Sequence, residues 1–390
     1  MENEAKKILI FSTAYFPFVG GAEVAVKEIT DRISDIEFSM ITARMDSKLP
    51  KFERLGKIDV YRVGIGLPIF DKLILAFGGA RFAKELHKKN KYDAVWSIMA
   101  SFGGLAASVF KKKNPEVKFL LTLQEGDNLA EVERKVALVK GRFKNIFTGA
   151  DYIQAISNYL ADWAKKMGAV CPIGVVPNGV DINQFSIFNF QFSIPEFKKK
   201  LGIEENEKVI ITVSRLVEKN GVDDLVKAIS ELRITNYELP VRLLICGVGE
   251  EGKKLKELAK RLAVDNKILF LGYIPYSELP KYYAVSDVFC RPSLTEGLGN
   301  VFLEAMAAGV PVIATPVGGI PDFLKDNETG WFCRVKNSES IAEKIKLILD
   351  QKNAVSVKNV LDNARKMVEE KYEWDKISKQ MDNIFNKITS

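Results

Sequence analysis

The stretch Arg291-Pro292-Ser293-Leu294-Thr295-Glu296-Gly297-Leu298-Gly299-Asn300-Val301-Phe302-Leu303-Glu304-Ala305-Met306 joins an apolar strand to an apolar helix and carries two carboxylates and two glycines. Gly297 and Gly299 expose amides at the helix start, where unpaired N–H groups and the helix dipole favour a diphosphate. Glu296 lies in the loop and Glu304 about one turn inside the helix, so both reach one ligand at different depths. A carboxylate in the loop suits sugar hydroxyls, and one set deeper suits a ribose diol. Two solvated glutamates flanking a packed helix fit poorly beside two glycines and so apolar a helix.

Three other junctions carry unusual residues. Val213-Ser214-Arg215-Leu216-Val217-Glu218-Lys219-Asn220-Gly221 follows a strand directly, placing Arg215 and Lys219 where a guanidinium can fork onto phosphate oxygens. Surface pairing with Glu218 is the plainer alternative. Ala14-Tyr15-Phe16-Pro17-Phe18-Val19-Gly20-Gly21 ends in paired glycines ahead of a helix, which suits close backbone approach to a ligand or a simple tight turn. Ile245-Cys246-Gly247-Val248-Gly249-Glu250 is a Gly-x-Gly turn without the third glycine of the dinucleotide fingerprint. No junction has the P-loop spacing, so nicotinamide and P-loop chemistry are unsupported.

Composition removes further chemistry. The 390 residues hold one histidine, which excludes sites needing two or more imidazoles. A Ser-His-Asp triad would have to be built on His87, inside a Lys-Glu-Leu-His-Lys-Lys run that reads as a solvated helix face. Cys171, Cys246, Cys290 and Cys333 stand singly and read as buried thiols of a reducing compartment, not disulfides or metal ligands. The first residues do not form a signal peptide and no stretch of 18 apolar residues occurs, which predicts a cytoplasmic protein.

The net charge of +7 is uneven: residues 1–185 hold 27 basic and 21 acidic side chains, residues 186–390 hold 30 and 29. A basic first half can meet anionic lipid, a phosphorylated acceptor or nucleic acid, although Lys111-Lys112-Lys113 also suits a helix C-terminus. Ile65 to Phe82 is apolar with basic residues nearby. It reads either as contact with a lipid-linked acceptor at a membrane surface or, given Gly78-Gly79, as a buried helix with its entry loop.

The elements that must position these residues alternate. Lys7 to Ser12 predicts a strand buried on both faces, and Ala94 to Ile98, Lys118 to Leu123 and Tyr152 to Ile156 predict further strands, each followed by a helix, from Ala22, Ser101, Asn128 and Asn158, the last capped by Ser157. A second series begins at Val209 to Val213. It continues through a helix over 222–233, Val241 to Ile245, a helix over 250–263, Ile268 to Phe270, Val288 to Cys290, a helix over 300–308 and Val310 to Ala314. Helices over 337–350, 354–371 and 374–388 end the chain. Residues 183–206 lack a clear period and carry five phenylalanines, and are read as the crossing between two doubly wound α/β domains.

On these residues the chain resembles the family 4 retaining glycosyltransferases. Glu296 and Glu304 match that family's E-x(7)-E motif. Ser293-Leu294-Thr295-Glu296-Gly297, Glu304-Ala305-Met306-Ala307, Gly318-Gly319, Pro177-Asn178-Gly179-Val180-Asp181 and Gly20-Gly21-Ala22-Glu23 are similar to other family segments, in the same order. The resemblance implies the GT-B architecture, two doubly wound Rossmann-like domains facing each other across a cleft. Residues 1–183 would bind the acceptor and residues 184–373 the donor, with 374–390 a helix packing back on the first domain.

It implies transfer of a sugar from a nucleotide-diphosphate donor, with retention, to a glycan, lipid-linked or small-molecule acceptor. A nucleotide-sugar epimerase and a non-catalytic nucleotide-sugar binding protein are the alternatives on the same architecture. Arg215, helped by Lys219, would neutralise the leaving diphosphate. Glu296 would hold donor sugar hydroxyls and Glu304 the ribose. The amides of Gly297, Leu298, Gly299 and Asn300, with Gly20 and Gly21, would cradle phosphates. No metal, cofactor or nucleic acid is implied, and the basic first domain allows peripheral contact with the inner face of the cell membrane. The sequence departs from the family twice. The lysine commonly found just before the glycine is Asn220 here, with Lys219 preceding it. The acceptor-side histidine is replaced in Leu123-Gln124-Glu125-Gly126-Asp127, and since Gln124 cannot titrate, any acid–base work on the acceptor side falls to Glu125, Asp127 or the donor phosphate itself.

Overall fold

The computed structural model describes residues 5–185, 193–234 and 240–390. The chain forms two compact units, Met1–Asn178 with Trp374–Ser390, and Gly179–Glu373. The first division therefore falls five residues before the one read from the sequence. Part of the crossing expected over 183–206, at 186–192, lies outside the described residues.

The first unit is built on β1 (Lys6–Phe11), β2 (Ile36–Ala43), β3 (Phe52–Leu55), β4 (Ile58–Val63), β5 (Ala94–Ile98), β6 (Lys118–Leu123), β7 (Tyr152–Ala155) and β8 (Ile173–Val175). Their order is β3-β4-β2-β1-β5-β6-β7-β8, with every pair parallel except the β3–β4 hairpin. The second unit carries β9 (Lys208–Val213), β10 (Val241–Cys246), β11 (Ile268–Gly272), β12 (Val288–Arg291), β13 (Val312–Ala314) and β14 (Trp331–Phe332) in the order β11-β10-β9-β12-β13-β14, all parallel. Central strands such as β1 and β9 are buried on both faces, which is why their sequences run apolar without alternation.

Each sheet reverses its winding beside its first strand, between β1 and β5 and between β9 and β12. At such a switch point neighbouring connections leave in opposite directions and open a crevice at the carboxyl ends of the strands. In the second unit β9 and β12 pair only at Ile210–Val288 and Ile211–Phe289, so the loops that follow them part.

Helix Trp374–Thr389 supplies Trp374, Ile377, Met381 and Phe385 to the core of the first unit, spaced to fall on one helical face. Phe385 meets Phe38 and Trp96 edge-on at 6.0 and 5.1 Å between centroids. Helix Pro68–Asn90 buries Leu75, Ala76, Gly79, Ala80, Ala83 and Leu86, so the buried-helix reading holds for one of its faces. His87 is not on a solvated face. Its Nδ1 accepts the Tyr92 amide at 3.0 Å and its ring packs on Tyr92 and Phe110, closing the end of this helix. Lys111 lies in the last turn of helix Phe102–Lys113 and donates to the Pro115 and Val117 carbonyls and to Asp151. All four cysteines are free thiols, three of them buried. Among the described residues no helix is long and apolar enough to cross a membrane.

Candidate active site

Four of the expected side chains sit in the segments that follow the carboxyl ends of β9 and β12. Arg215 follows β9 by two residues and is exposed. Lys219 lies in a single 3-10 turn, Glu218–Asn220, whose backbone is tied to the β12 loop by the Leu294 amide donating to the Lys219 carbonyl at 2.7 Å. Glu296 is buried in the loop after β12. Glu304 lies inside helix Asn300–Ala307, also buried. Gly299 caps that helix, and Gly297 and Leu298 are buried beside it.

The group that sequence reasoning missed is Arg291. This guanidinium ends β12, is buried, and lies over the Phe302 ring at 5.3 Å. Its Nη2 donates to Glu296 and to the Asn220 side-chain oxygen, the latter at 3.2 Å, and its Nε donates to Ser293 Oγ at 3.1 Å. Asn220 in turn donates its side-chain amide to the Arg215 carbonyl at 2.6 Å. A lysine at 220 would bring a second buried cation against Arg291, so the departure at Asn220 and the arginine at 291 form one arrangement. The signal in the sequence is a charged residue closing an otherwise apolar strand immediately before Pro292.

Glu296 is further fixed from two sides. Its other carboxylate oxygen accepts the Gly297 amide at 3.1 Å, and its carbonyl accepts the Gly319 amide at 3.1 Å. Gly318 has φ +58°, and a Cβ there would fall 1.7 Å from the Glu296 carbonyl oxygen, which accounts for the Gly318-Gly319 pair. Burial pushes the Glu304 carboxyl up to about 7, against the Tyr283 hydroxyl, which donates to it at 3.1 Å, and the charge of Arg291. A buried carboxyl poised near neutrality is a ligand-binding or proton-handling group more often than a packing one.

Gly20 and Gly21 belong to the first unit, exposed at the start of helix Gly21–Arg32, where the Gly20 amide donates to the Glu23 carboxylate at 2.8 Å. Gln124, Glu125 and Asp127 follow β6. Gln124 accepts from the Asn178 side chain at 3.1 Å, and Asp127 is exposed. Glu125 is buried. Its Oε1 accepts the Ala100 amide from the end of β5 at 2.6 Å, and its Oε2 has no hydrogen-bond partner among the described residues. Burial raises this carboxyl to about 7. No group of three His, Cys, Asp or Glu side chains able to hold a metal occurs among the described residues.

The fold is shared with solved glycosyltransferases of the GT-B class. The chain superimposes on sucrose-phosphate synthase from Thermosynechococcus elongatus with a TM-score of 0.83, at 20% identity and over 98% of each chain. Residues 19–184 match the family described as Glycosyltransferase Family 4, and residues 193–374 the family described as Glycosyl transferases group 1. The chain thus belongs to glycosyltransferase family 4 and is a glycosyltransferase. It is 28% identical to an uncharacterised glycosyltransferase of Methanocaldococcus jannaschii over 97% of both proteins. It is 31% identical to the GDP-mannose-dependent alpha-(1-6)-phosphatidylinositol monomannoside mannosyltransferase of Mycobacterium tuberculosis, over 61% of this chain and 62% of that one.

Proposed function

We propose that the protein transfers a sugar, with retention at the anomeric carbon and without a metal, from a nucleotide-diphosphate sugar bound by the second unit to an acceptor held by the first. The observation that carries this is the joint placement of Arg215, Glu296 and Glu304 at the carboxyl ends of β9 and β12. Arg215 meets the negative charge that grows on the diphosphate as the glycosidic bond breaks, a task suited to a guanidinium at a strand end. Lys219 and the amides from Gly297 to Asn300 assist it. Glu296, fixed by Arg291 and the Gly319 amide, orients donor sugar hydroxyls. Glu304 accepts the ribose hydroxyls, and donor binding favours its ionised form.

With Gln124 unable to titrate, Glu125 is the group of the first unit suited to take the acceptor proton, its carboxyl near neutrality and one oxygen without a partner. The relatives are named for acceptors of both kinds, a phosphatidylinositol monomannoside in one and L-malate in another, so glycan, lipid-linked and small-molecule acceptors all fall within the proposed activity.

The test is a thermal-shift panel of UDP-, GDP- and ADP-sugars, followed by NMR of the anomeric linkage in the product formed from the donor that binds. A product with inverted configuration, or undiminished turnover in both Glu296→Gln and Arg215→Ala, would overturn the assignment. EDTA should leave turnover unchanged. An isomerised donor in the absence of acceptor would instead identify an epimerase.

A further inference from the structure

We infer that the loop over residues 64–67 and the outer face of helix Pro68–Asn90 form a docking surface for an anionic phospholipid bilayer. The inner face of this helix is packed, but the outer face is not: Ile69 is 75% exposed, Phe70 60% and Phe77 68%, with Ile65 and Leu67 also exposed. Contiguous apolar exposure of this kind marks a partner surface rather than a solvent face.

The structure holds this surface in place. Asp71, fully buried, accepts the Ile65 amide at 2.7 Å and the Gly66 and Met45 amides at 2.8 and 3.0 Å. Gly64 and Gly66 have φ +117° and +97°, and a Cβ at Gly64 would fall 2.2 Å from Asp71 Cγ. A buried carboxylate and two glycines in the left-handed half of backbone space are thus committed to a loop that presents Ile65 and Leu67 to the outside. A loop free to relax would fold those side chains inward.

Charge selects the occupant. The first unit holds 30 basic against 22 acidic side chains, the second 27 against 28, so the surplus of +8 lies wholly in the unit that carries the apolar face. Along the helix, Phe70, Ile74 and Phe77 continue at helical spacing into Arg81 and Lys84, both exposed. The first turns suit insertion roughly 5–10 Å into the headgroup and acyl boundary, and the later ones suit anionic headgroups. The helix enters obliquely, N-terminus first.

β4, β2, β1, β5 and β6 run parallel in turn, so this loop leaves the sheet at the same end as the loop after β6 that carries Glu125. A bilayer met there brings a lipid-linked acceptor to the acceptor edge. That last step rests on the proposed function; the docking surface does not.

The test is co-sedimentation of the full chain with vesicles of phosphatidylcholine mixed with phosphatidylglycerol, against phosphatidylcholine alone. The protein should sediment with the anionic vesicles only, and release as salt is raised. The combined Ile69→Ser, Phe70→Ser, Phe77→Ser variant should lose at least about tenfold in partition at an unchanged melting temperature, and Arg81→Glu with Lys84→Glu should lose the salt-sensitive part. Hydrogen exchange of the unaltered protein should show new protection across residues 65–77 when anionic vesicles are added, which keeps the test open should the triple variant misfold. No sedimentation at low salt, equal binding by the triple variant, or no added protection would overturn the inference. So would a dimer that the triple variant dissociates, which would assign the face to a second copy of the chain. Vesicle binding needs neither donor nor transfer, so its failure and that of the glycosyl-transfer reading are told apart.

Discussion

At the carboxyl end of β12 the Glu296 carboxylate is clasped between the Arg291 guanidinium and the Gly297 amide, whereas at the end of β6 the Glu125 carboxyl has one amide and an oxygen with no partner. Glu304, one turn inside the helix that follows, resembles Glu125: burial lifts both to about 7. Two sheets of the same type thus treat buried carboxylates in two ways. A cation-paired carboxylate is held as a fixed acceptor, ready to orient hydroxyls. A carboxylate set in a buried site without a full set of donors is poised to exchange a proton or to wait for a ligand's hydroxyls. At its strand ends the second unit uses both kinds and is nearly neutral in net charge; the first poises Glu125 there, holds its buried Asp71 with three backbone amides, and carries the basic surplus.

The comparison breaks most readily at Arg291. Replacing it by Met leaves Glu296 as a buried carboxylate without its cation, and should lower the stability of the second unit by roughly 3–5 kcal/mol in urea unfolding. Arg291→Lys, which keeps the charge but not the fork to Asn220, should recover part of that. A wild-type midpoint for Arg291→Met would show that the pair does not set Glu296 apart from Glu125.

Arg215→Ala should reduce transfer by roughly 10²–10³-fold while leaving the melting temperature in place, because the side chain is exposed. Lys219→Ala should cost less, about tenfold. Equal losses would mean that the charge is shared across the turn and not concentrated at Arg215.

The poised pair is sharpened by pH. An unfolded glutamate loses its proton near 4.5 and these folded ones near 7, so between those values folding takes up a proton and stability falls as pH rises. The penalty is absent below the lower value, complete above the upper one, and on the order of 3 kcal/mol per group. Glu304→Gln should therefore raise the melting temperature of the ligand-free protein at pH 8 and not at pH 4, while weakening donor binding. Glu125→Gln should give the same pH-dependent gain with donor binding unchanged, the smallest change in donor chemistry of the series. A donor affinity that moves equally in both variants would remove the distinction between the units.

Much of this frame is legible in the chain. The residues of Lys118–Leu123 read as a strand and form one, and Ser157 accepts the Leu160 amide at 3.4 Å as its position before a helix predicts. These are local patterns, carried by neighbours in sequence. Among the strands the same reasoning passes over, β3 is half-exposed and two-residue β14 is too short to show a period. His87 reads as solvated from its basic neighbours, yet a fold-back to Tyr92 and the Phe110 ring leave its side chain only 20% exposed.

The sequence by itself determined the family, the order of strands and helices around the site, and the carboxylates that lie there, since spacing and residue type are local quantities. Only the tertiary structure decided what those carboxylates meet. Arg291 finds Asn220 across 71 residues and Glu125 finds Ala100 across 25, because the two sheets bring strand ends together that the chain keeps apart. It also decided which apolar face of helix Pro68–Asn90 is covered. A helical period shows that two apolar faces exist, but the neighbour that buries one and leaves the other bare is chosen by packing alone.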